Sequence, residues 1–162
     1  MEMTPLEIEA AFHSCFRRVQ LIGGAPEPLY VPATEDRCSA QIYYREDFAA
    51  SALHEIAHWC IAGYRRRQLV DFGYDYVPPP RTMVQQLGFF KLELKTQALE
   101  SIFSSAAKLP FQVSADNLET SPTDFACQVE GFSIAVHSWL EQPAGNRARR
   151  FLAAIKDNKW TA

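Results

Sequence analysis

The residue types best suited to chemistry lie in the run His54-Glu55-Ile56-Ala57-His58, which has the pattern His-Glu-x-x-His. The surrounding residues 51–60 favour a helix, and two histidines four positions apart share one helix face. Their imidazoles can then converge on one divalent metal, with Glu55 beside a water at that metal. Because the chain has only four histidines, this spacing is the strongest chemical signal in the sequence.

A tight site needs a third protein ligand. A third histidine, as in zinc peptidases with the longer motif H-E-x-x-H-x-x-G-x-x-H, is excluded because Ile61 and Tyr64 stand at the required positions. The other common solution is a glutamate on a following helix, for which Glu93 and Glu100 are candidates. They are seven residues apart, so periodicity alone does not choose between them.

The neighbours of the two glutamates favour Glu93. It lies among Phe90, Leu92 and Leu94, as a partly buried ligand would, whereas Glu100 is expected nearer to a solvated stretch. Asp71 is a weaker rival, because its short side chain would need the loop to turn back sharply.

Two histidines and one carboxylate leave part of the coordination sphere open, which is typical of a reactive site. The same ligands serve zinc in hydrolases and non-haem Fe(II) in oxygenases, so they do not decide the metal. In a hydrolase Glu55 would be the general base toward the attacking water. In an oxygenase dioxygen would be the co-substrate. Glu55 would then not bind the metal itself but would support its ligands or transfer a proton. A histidine pair that merely packs within the helix is the non-catalytic interpretation.

The length predicts one domain over residues 1–162, and the local patterns described below predict a helix-rich α+β class with a few short strands. The 48% hydrophobic and 22% charged residues are ordinary for a soluble protein, and a net charge of −3 argues against a nucleic-acid binder. No apolar run reaches membrane-spanning length, and the four scattered cysteines fit reduced thiols of a cytoplasmic protein. We expect a monomer, since no long apolar surface stripe is evident.

Local patterns place the elements. Thr4 and Pro5 predict the start of a first helix, and Asp47 is the predicted cap of the motif helix. Further helices are predicted over residues 48–64, 81–107, 124–140 and 147–159, with short strands at 41–44 and near 30–31. Arg65, Arg66 and Arg67 follow the motif helix, either as a cap that complements the helix dipole or as a docking patch for a substrate.

Four segments together resemble the bacterial elongation factor P hydroxylases. They are residues 52–63 (ALHEIAHWCIAG), 69–76 (LVDFGYDY), 93–99 (ELKTQAL) and 110–119 (PFQVSADNLE). The likeness extends over roughly residues 5–155, and it is more specific than the His-Glu-x-x-His pattern alone. Thr96 departs from the family pattern, in which a proline is common at that position.

The resemblance implies a cytoplasmic enzyme that hydroxylates one lysine of elongation factor P, usually after β-lysylation of that lysine. It also implies a metal site like that of zinc peptidases with a glutamate ligand, held by His54, His58 and Glu93. Oxygen insertion into a C–H bond needs a redox-active centre, which favours Fe(II) over zinc as the working metal, although a purified sample could carry zinc. A zinc metallopeptidase is the main alternative, and a protein that only binds the factor is a third.

A modified lysine carries ammonium groups, so acidic and aromatic side chains are the predicted substrate contacts. The candidates are Asp71, Asp75, Asp116 and Glu119, with Tyr74 and Tyr76 lining the slot. For each of them, a carboxylate that caps a turn or an aromatic ring packed in the core is the competing interpretation.

Overall fold

The computed structural model describes residues 1–74, 77–116 and 118–158, in which helices predominate beside a small sheet. The helices are α1 (Pro5–Cys15), α2 (Ala49–Ile61), α3 (Met83–Ala106), α4 (Pro122–Leu140) and α5 (Asn146–Asp157). The strands are β1 (Val19–Ala25), β2 (Leu29–Val31) and β3 (Ala40–Arg45). The predicted helix-rich α+β class is confirmed. Strand β1 is the element that the sequence pattern indicated least clearly.

The three strands are ordered β1-β3-β2, with β3 parallel to β1 and antiparallel to β2. Ile42 at the centre of β3 is paired with Leu21 and Tyr30, and all three side chains are buried. One face of the sheet packs on α1 and α2. The sheet therefore serves as a support from which α2 starts.

The motif helix α2 buries one face in the core, while His54, Glu55 and His58 on the other face are only half-buried. Its buried residues are Ala52, Leu53, Ile56, Ala57, Trp59 and Cys60. The prediction of Asp47 as its cap is wrong: Phe48 occupies the N-cap, without a side-chain hydrogen bond. A turn with Glu46 at a φ of 48° leads from β3 into this cap, and Ser51 Oγ accepts from the Arg45 N–H.

Helix α3 crosses α2 and packs against α4 as well. It begins with a capping box between Thr82 and Gln85. Its first turns are largely exposed, whereas the turn of Thr96 to Glu100 is buried. Glu93 lies at the boundary between these two halves, where a polar side chain can be shielded and still open onto a cavity.

The turn before α5 requires a glycine, which gives a test of the packing. A Cβ at Gly145 would clash with the Trp139 carbonyl oxygen and lie 2.7 Å from Leu140 Cα, both of them backbone atoms that cannot rotate away. We expect Gly145→Ala to lower the free energy of unfolding by about 2 kcal/mol or more in urea denaturation. Gly131→Ala in α4 is the control: nothing lies within 4 Å of the added Cβ, so this change should be neutral or stabilising by up to about 1 kcal/mol. Equal effects of the two changes would contradict the packing described at Gly145.

Among the helices of the described ranges, none has the combination of length and apolar character that a bilayer crossing requires. The four cysteines are free thiols, as the sequence predicts. Cys60 is fully buried, and burial raises the pKa of its thiol to about 12. It points away from the histidine face and takes no part in the cluster described below.

Candidate metal centre

Helices α2 and α3 bring the two motif histidines and Glu93 together. The Nε2 atoms of His54 and His58 lie 3.1 Å apart. Glu93 Oε1 is 3.3 Å from His58 Nε2, and its Oε2 is 3.9 Å from His54 Nε2. One donor atom from each residue falls within 4.8 Å of the others, and the three are half-buried.

These distances suit a divalent ion. Donors at about 2.1 Å from a tetrahedral metal are separated by about 3.4 Å, and the observed spacings scatter around that value. Two imidazoles and a carboxylate are also the donor set of open zinc and non-haem iron sites. The three residues therefore fit a divalent metal. Glu93, the third ligand proposed from the sequence, is the glutamate that lies beside both histidines.

The electrostatics of the cluster support the same assignment. Burial alone would raise the pKa of Glu93, but a hydrogen bond from His58 and the charges of both histidines lower it to about 2. Glu93 is thus a carboxylate at any physiological pH, as a ligand must be.

Glu100 has a role that the sequence did not reveal. Its predicted position near a solvated stretch is wrong, because the residue is only 8% exposed. Glu100 Oε2 lies 2.7 Å from His54 Nδ1, and since a carboxylate only accepts, the Nδ1–H of His54 donates. When the imidazole is neutral, this bond places the remaining proton on Nδ1 and directs the lone pair of Nε2 at the cluster, the usual arrangement of a metal-binding histidine with a hydrogen-bonded carboxylate behind it.

Replacing Glu100 should therefore weaken metal binding rather than have the mild effect expected of an exposed residue. Glu100→Gln keeps the size of the side chain but removes its charge, and we expect metal affinity to fall by about 10-fold to 100-fold. Competition with a chelator of known affinity measures the change, with the exposed Glu141→Gln as the control. Unchanged affinity would show that Glu100 does not orient His54.

Metal binding should also release protons. Burial lowers the pKa of His54, but the hydrogen bond to Glu100 and the charges of Glu100, Glu93 and Glu55 outweigh it and raise the pKa to about 10. The metal-free imidazole is then protonated at neutral pH and must lose a proton to become a ligand. Affinity should rise from pH 6.5 to 10, and calorimetry in buffers of different ionisation enthalpy should detect at least one proton released near pH 7.5. A pH-independent affinity would contradict this.

The Glu93 carboxylate is held by Gln97, one turn further along α3. Gln97 Nε2 donates to Glu93 Oε2 at 3.0 Å and to the Ser114 carbonyl at 2.8 Å. The Ser114 N–H donates back to Gln97 Oε1 at 2.9 Å. Because Gln97 is only 2% exposed, this triple contact fixes Glu93 to the loop after α3.

Thr96 lies beside one of the two motif histidines. Its Oγ1 lies 3.5 Å from His58 Nδ1 and donates to the Leu92 carbonyl at 2.8 Å. The residue at which the chain departs from the family pattern therefore lies beside an imidazole of the candidate metal centre.

A cavity of about 750 Å³ opens onto the cluster, which is ample for a long side chain. Glu55, His58 and Glu93 line its inner end. Burial raises the pKa of Glu55 above its ordinary value, so this carboxyl group holds a proton more readily than an exposed glutamate does. Arg81 and Lys91 also line this cavity, so its wall carries both acidic and basic side chains.

The predicted contacts Asp71 and Tyr74 line this cavity. Asp71 also has a structural part, because its Oδ1 accepts the Tyr30 N–H at 2.9 Å. Asp71 and Phe72 both have left-handed backbone, with φ of 49° and 60°, and the Phe72 ring stacks on Tyr30 at 4.2 Å. Backbone strain in non-glycine residues is concentrated at functional sites, and here it directs Phe72 toward His58.

The other predicted contacts are not brought to the cavity or fall outside the described ranges. Asp116 and Glu119 are exposed in the loop between α3 and α4, where Asp116 Oδ2 accepts from Ser114 Oγ at 3.4 Å. Neither of them lines the cavity. Tyr76 and Asp75 lie outside the described residues, so their predicted role stays a prediction.

The two arginines that follow Arg65 contact the protein itself. Arg66 lies 4.2 Å over the Tyr74 ring and donates to the Phe72 carbonyl at 3.1 Å. Arg67 donates to the Ala62 carbonyl at 2.7 Å, at the C-terminus of α2. The capping interpretation thus describes Arg67, while Arg66 holds part of the cavity wall.

The family match described next includes His54, His58, Glu93 and Glu100. The family described as elongation factor P hydroxylase matches residues 9–161. The elongation factor P lysine hydroxylase of Haemophilus influenzae is 45% identical over 158 residues, spanning 96% of this chain and 89% of that protein. The chain belongs to the elongation factor P hydroxylase family. Membership in this family does not favour the zinc metallopeptidase alternative.

Proposed function

We propose that this protein hydroxylates the β-lysylated lysine of elongation factor P, with a divalent metal held by His54, His58 and Glu93. The observation that carries the proposal is the convergence of those three side chains at the end of a cavity, within a chain of this family. The name of the Haemophilus influenzae relative supports the same substrate.

Fe(II) is the proposed metal because insertion of oxygen into a C–H bond needs redox chemistry, which zinc does not supply. Overall, one atom of dioxygen enters the lysine C–H bond and the other leaves as water. The balance takes two electrons from a reductant and two protons from solvent.

The residues of the chain then have distinct tasks. Glu55 is proposed to hold or pass a proton in the cavity, since its half-buried carboxyl group has a raised pKa. Asp71 is proposed to receive an ammonium group of the modified lysine, and the Tyr74 ring to cover its methylene chain. Phe72 excludes water beside His58.

The proposal is tested by incubating the anaerobically reconstituted protein with β-lysylated elongation factor P, dioxygen and ascorbate as reductant. Mass spectrometry of the peptide that contains the modified lysine should show a gain of one oxygen atom with Fe(II) and none with zinc. Glu55→Gln should slow this gain by about 100-fold or more while leaving metal binding intact.

Two other outcomes would refute the proposal. Peptide cleavage that depends on zinc and is lost in Glu55→Gln would indicate a metallopeptidase. Binding of the factor with no product under any metal would indicate a protein that recognises the factor without chemistry.

We also propose a cytoplasmic location, because the proposed substrate is a translation factor. We propose one domain over residues 1–162 acting as a monomer, for which size-exclusion chromatography with light scattering is the measurement.

A further inference from the structure

A second cavity, of about 590 Å³, is lined by arginines and lies on a different side of α2 from the histidines. It is formed where the end of α1, the start of β1 and the turn after α2 meet. Four arginines and three buried aromatic residues line it: Arg17, Arg18, Arg67 and Arg150, with Phe16, Tyr30 and Trp59. We call it the arginine cavity.

Among the residues that the structure describes, no carboxylate balances the positive charge of the arginine cavity, and its described lining contains no Asp or Glu. Within the ranges that the structure describes, the ion pairs join only His54 and His58 to Glu93 and Glu100, so none of the four arginines has a carboxylate within 4 Å. This is unusual in a chain whose net charge is −3.

A fifth guanidinium, that of Arg147, lies behind the wall of the cavity. Arg147 Nη2 and Arg67 Nη1 both donate to the Ala62 carbonyl at 2.7 Å, and Arg147 lies 4.7 Å over the Trp59 ring. Burial and the neighbouring charge of Arg67 lower the pKa of Arg147 to about 10. Arg147 Nη1 is buried with no hydrogen-bond partner among the described residues.

The C-terminus of α2 offsets part of this charge, because Arg67 and Arg147 donate to carbonyls at that end. It does not account for Arg17 and Arg18. Both are exposed, and within the described residues neither side chain has a hydrogen bond or an ion pair. Their charge is free to meet a ligand in the cavity.

We propose that the arginine cavity binds the phosphate group of a small molecule. Planar guanidinium groups match the oxygens of phosphate in pairs, and several of them can neutralise its double charge. The volume is that of a small-molecule pocket. A cavity with arginines around it, in an acidic protein, suits a compact anion better than the long basic stripe that nucleic acid requires.

This site is separate from the candidate metal centre. The Tyr30 ring lines the arginine cavity and stacks on Phe72, which lines the other cavity beside His58. The two cavities are thus divided by an aromatic pair and by α2. A phosphate ligand here would not be the lysine substrate and would not replace the metal.

The test is calorimetric titration of the full, zinc-loaded chain with inorganic phosphate and with ribose 5-phosphate at near-physiological salt. We expect 1:1 binding that the double variant Arg17→Ala/Arg18→Ala weakens by about 10-fold or more. Arg65→Ala is the matched control, because Arg65 is exposed on the same turn as Arg67 but does not line the cavity, and it should bind as the wild type does. An unchanged melting temperature shows that the variants fold.

Further titrations distinguish phosphate bound in the arginine cavity from phosphate bound to zinc and from other anions. Metal-free His54→Ala protein should bind phosphate as the wild type does, which excludes phosphate bound to zinc. Equal binding of succinate would overturn the choice of phosphate over carboxylate. Tighter binding of an RNA hairpin through Arg17 and Arg18 would overturn the small-molecule assignment, and no binding, or binding that the double variant leaves unchanged, would overturn the site itself.

Discussion

His54→Ala and His58→Ala should each abolish metal retention and reduce hydroxylation of the factor to background. Each change removes a direct donor from a cluster whose Nε2 atoms lie 3.1 Å apart. The loss of affinity should exceed the roughly 10-fold to 100-fold that removal of an outer hydrogen-bond partner costs. Metal content after dialysis against a weak chelator, measured by mass spectrometry of the elements, gives the result.

His137→Ala is the matched control for these variants. His137 is exposed on α4, away from the cluster, so its loss should leave metal content and activity unchanged. Alanine is the best helix former, so the fold of α2 should survive in both motif variants, and circular dichroism should confirm this. A motif variant that folds and still retains metal with wild-type affinity would refute the assignment of that histidine.

Glu93→Gln should have an effect of the same order. The substitution preserves the shape of the side chain and its contact with Gln97 while removing the negative charge that faces both imidazoles. A neutral amide is a poor ligand for a divalent ion, so the metal should be lost from the protein during dialysis. Isothermal titration with zinc and with Fe(II) under argon measures the change.

Comparing the metal affinity of Glu93→Gln with that of Glu100→Gln distinguishes the roles of the two carboxylates on α3. Glu93 belongs to the candidate cluster of His54, His58 and Glu93, whereas Glu100 contacts Nδ1 of His54, the ring nitrogen that points away from that cluster. The Glu93 variant should therefore lose more affinity than the Glu100 variant. The reverse order would mean that the two roles are exchanged.

Helices and strands could be predicted from the sequence where capping residues or strand-favouring residues are present locally. Thr4 with Pro5 marks the start of α1, and Tyr30 with Val31 lies in β2 as expected. Strand β1 could not be decided from the sequence, because its glycines, including Gly24 with a φ of 88°, are equally typical of a turn after a helix, and because its pairing with β3 is non-local. The cap of α2 was misplaced by one residue, since the turn after β3 rather than side-chain chemistry sets its start.

The metal ligands could be proposed from spacing and from the apolar surroundings of Glu93. The role of Glu100 could not, because seven residues on a helix place both glutamates on similar faces, and only the position of α2 decides which nitrogen each one meets. Gln97 gave no signal either, since its partner Ser114 lies 17 residues away in a loop. Asp116 and Glu119 were chosen for charge alone, and the path of that loop keeps them from lining the cavity.

The most direct test is a crystal structure of the Fe(II)-loaded protein with anomalous data collected on both sides of the iron absorption edge. We predict one strong peak at about 2.0–2.2 Å from His54 Nε2, His58 Nε2 and a carboxylate oxygen of Glu93, with at least one coordination position open toward the 750 Å³ cavity. No iron peak among these three residues, or a peak with either imidazole turned away from it, would contradict the proposed metal centre.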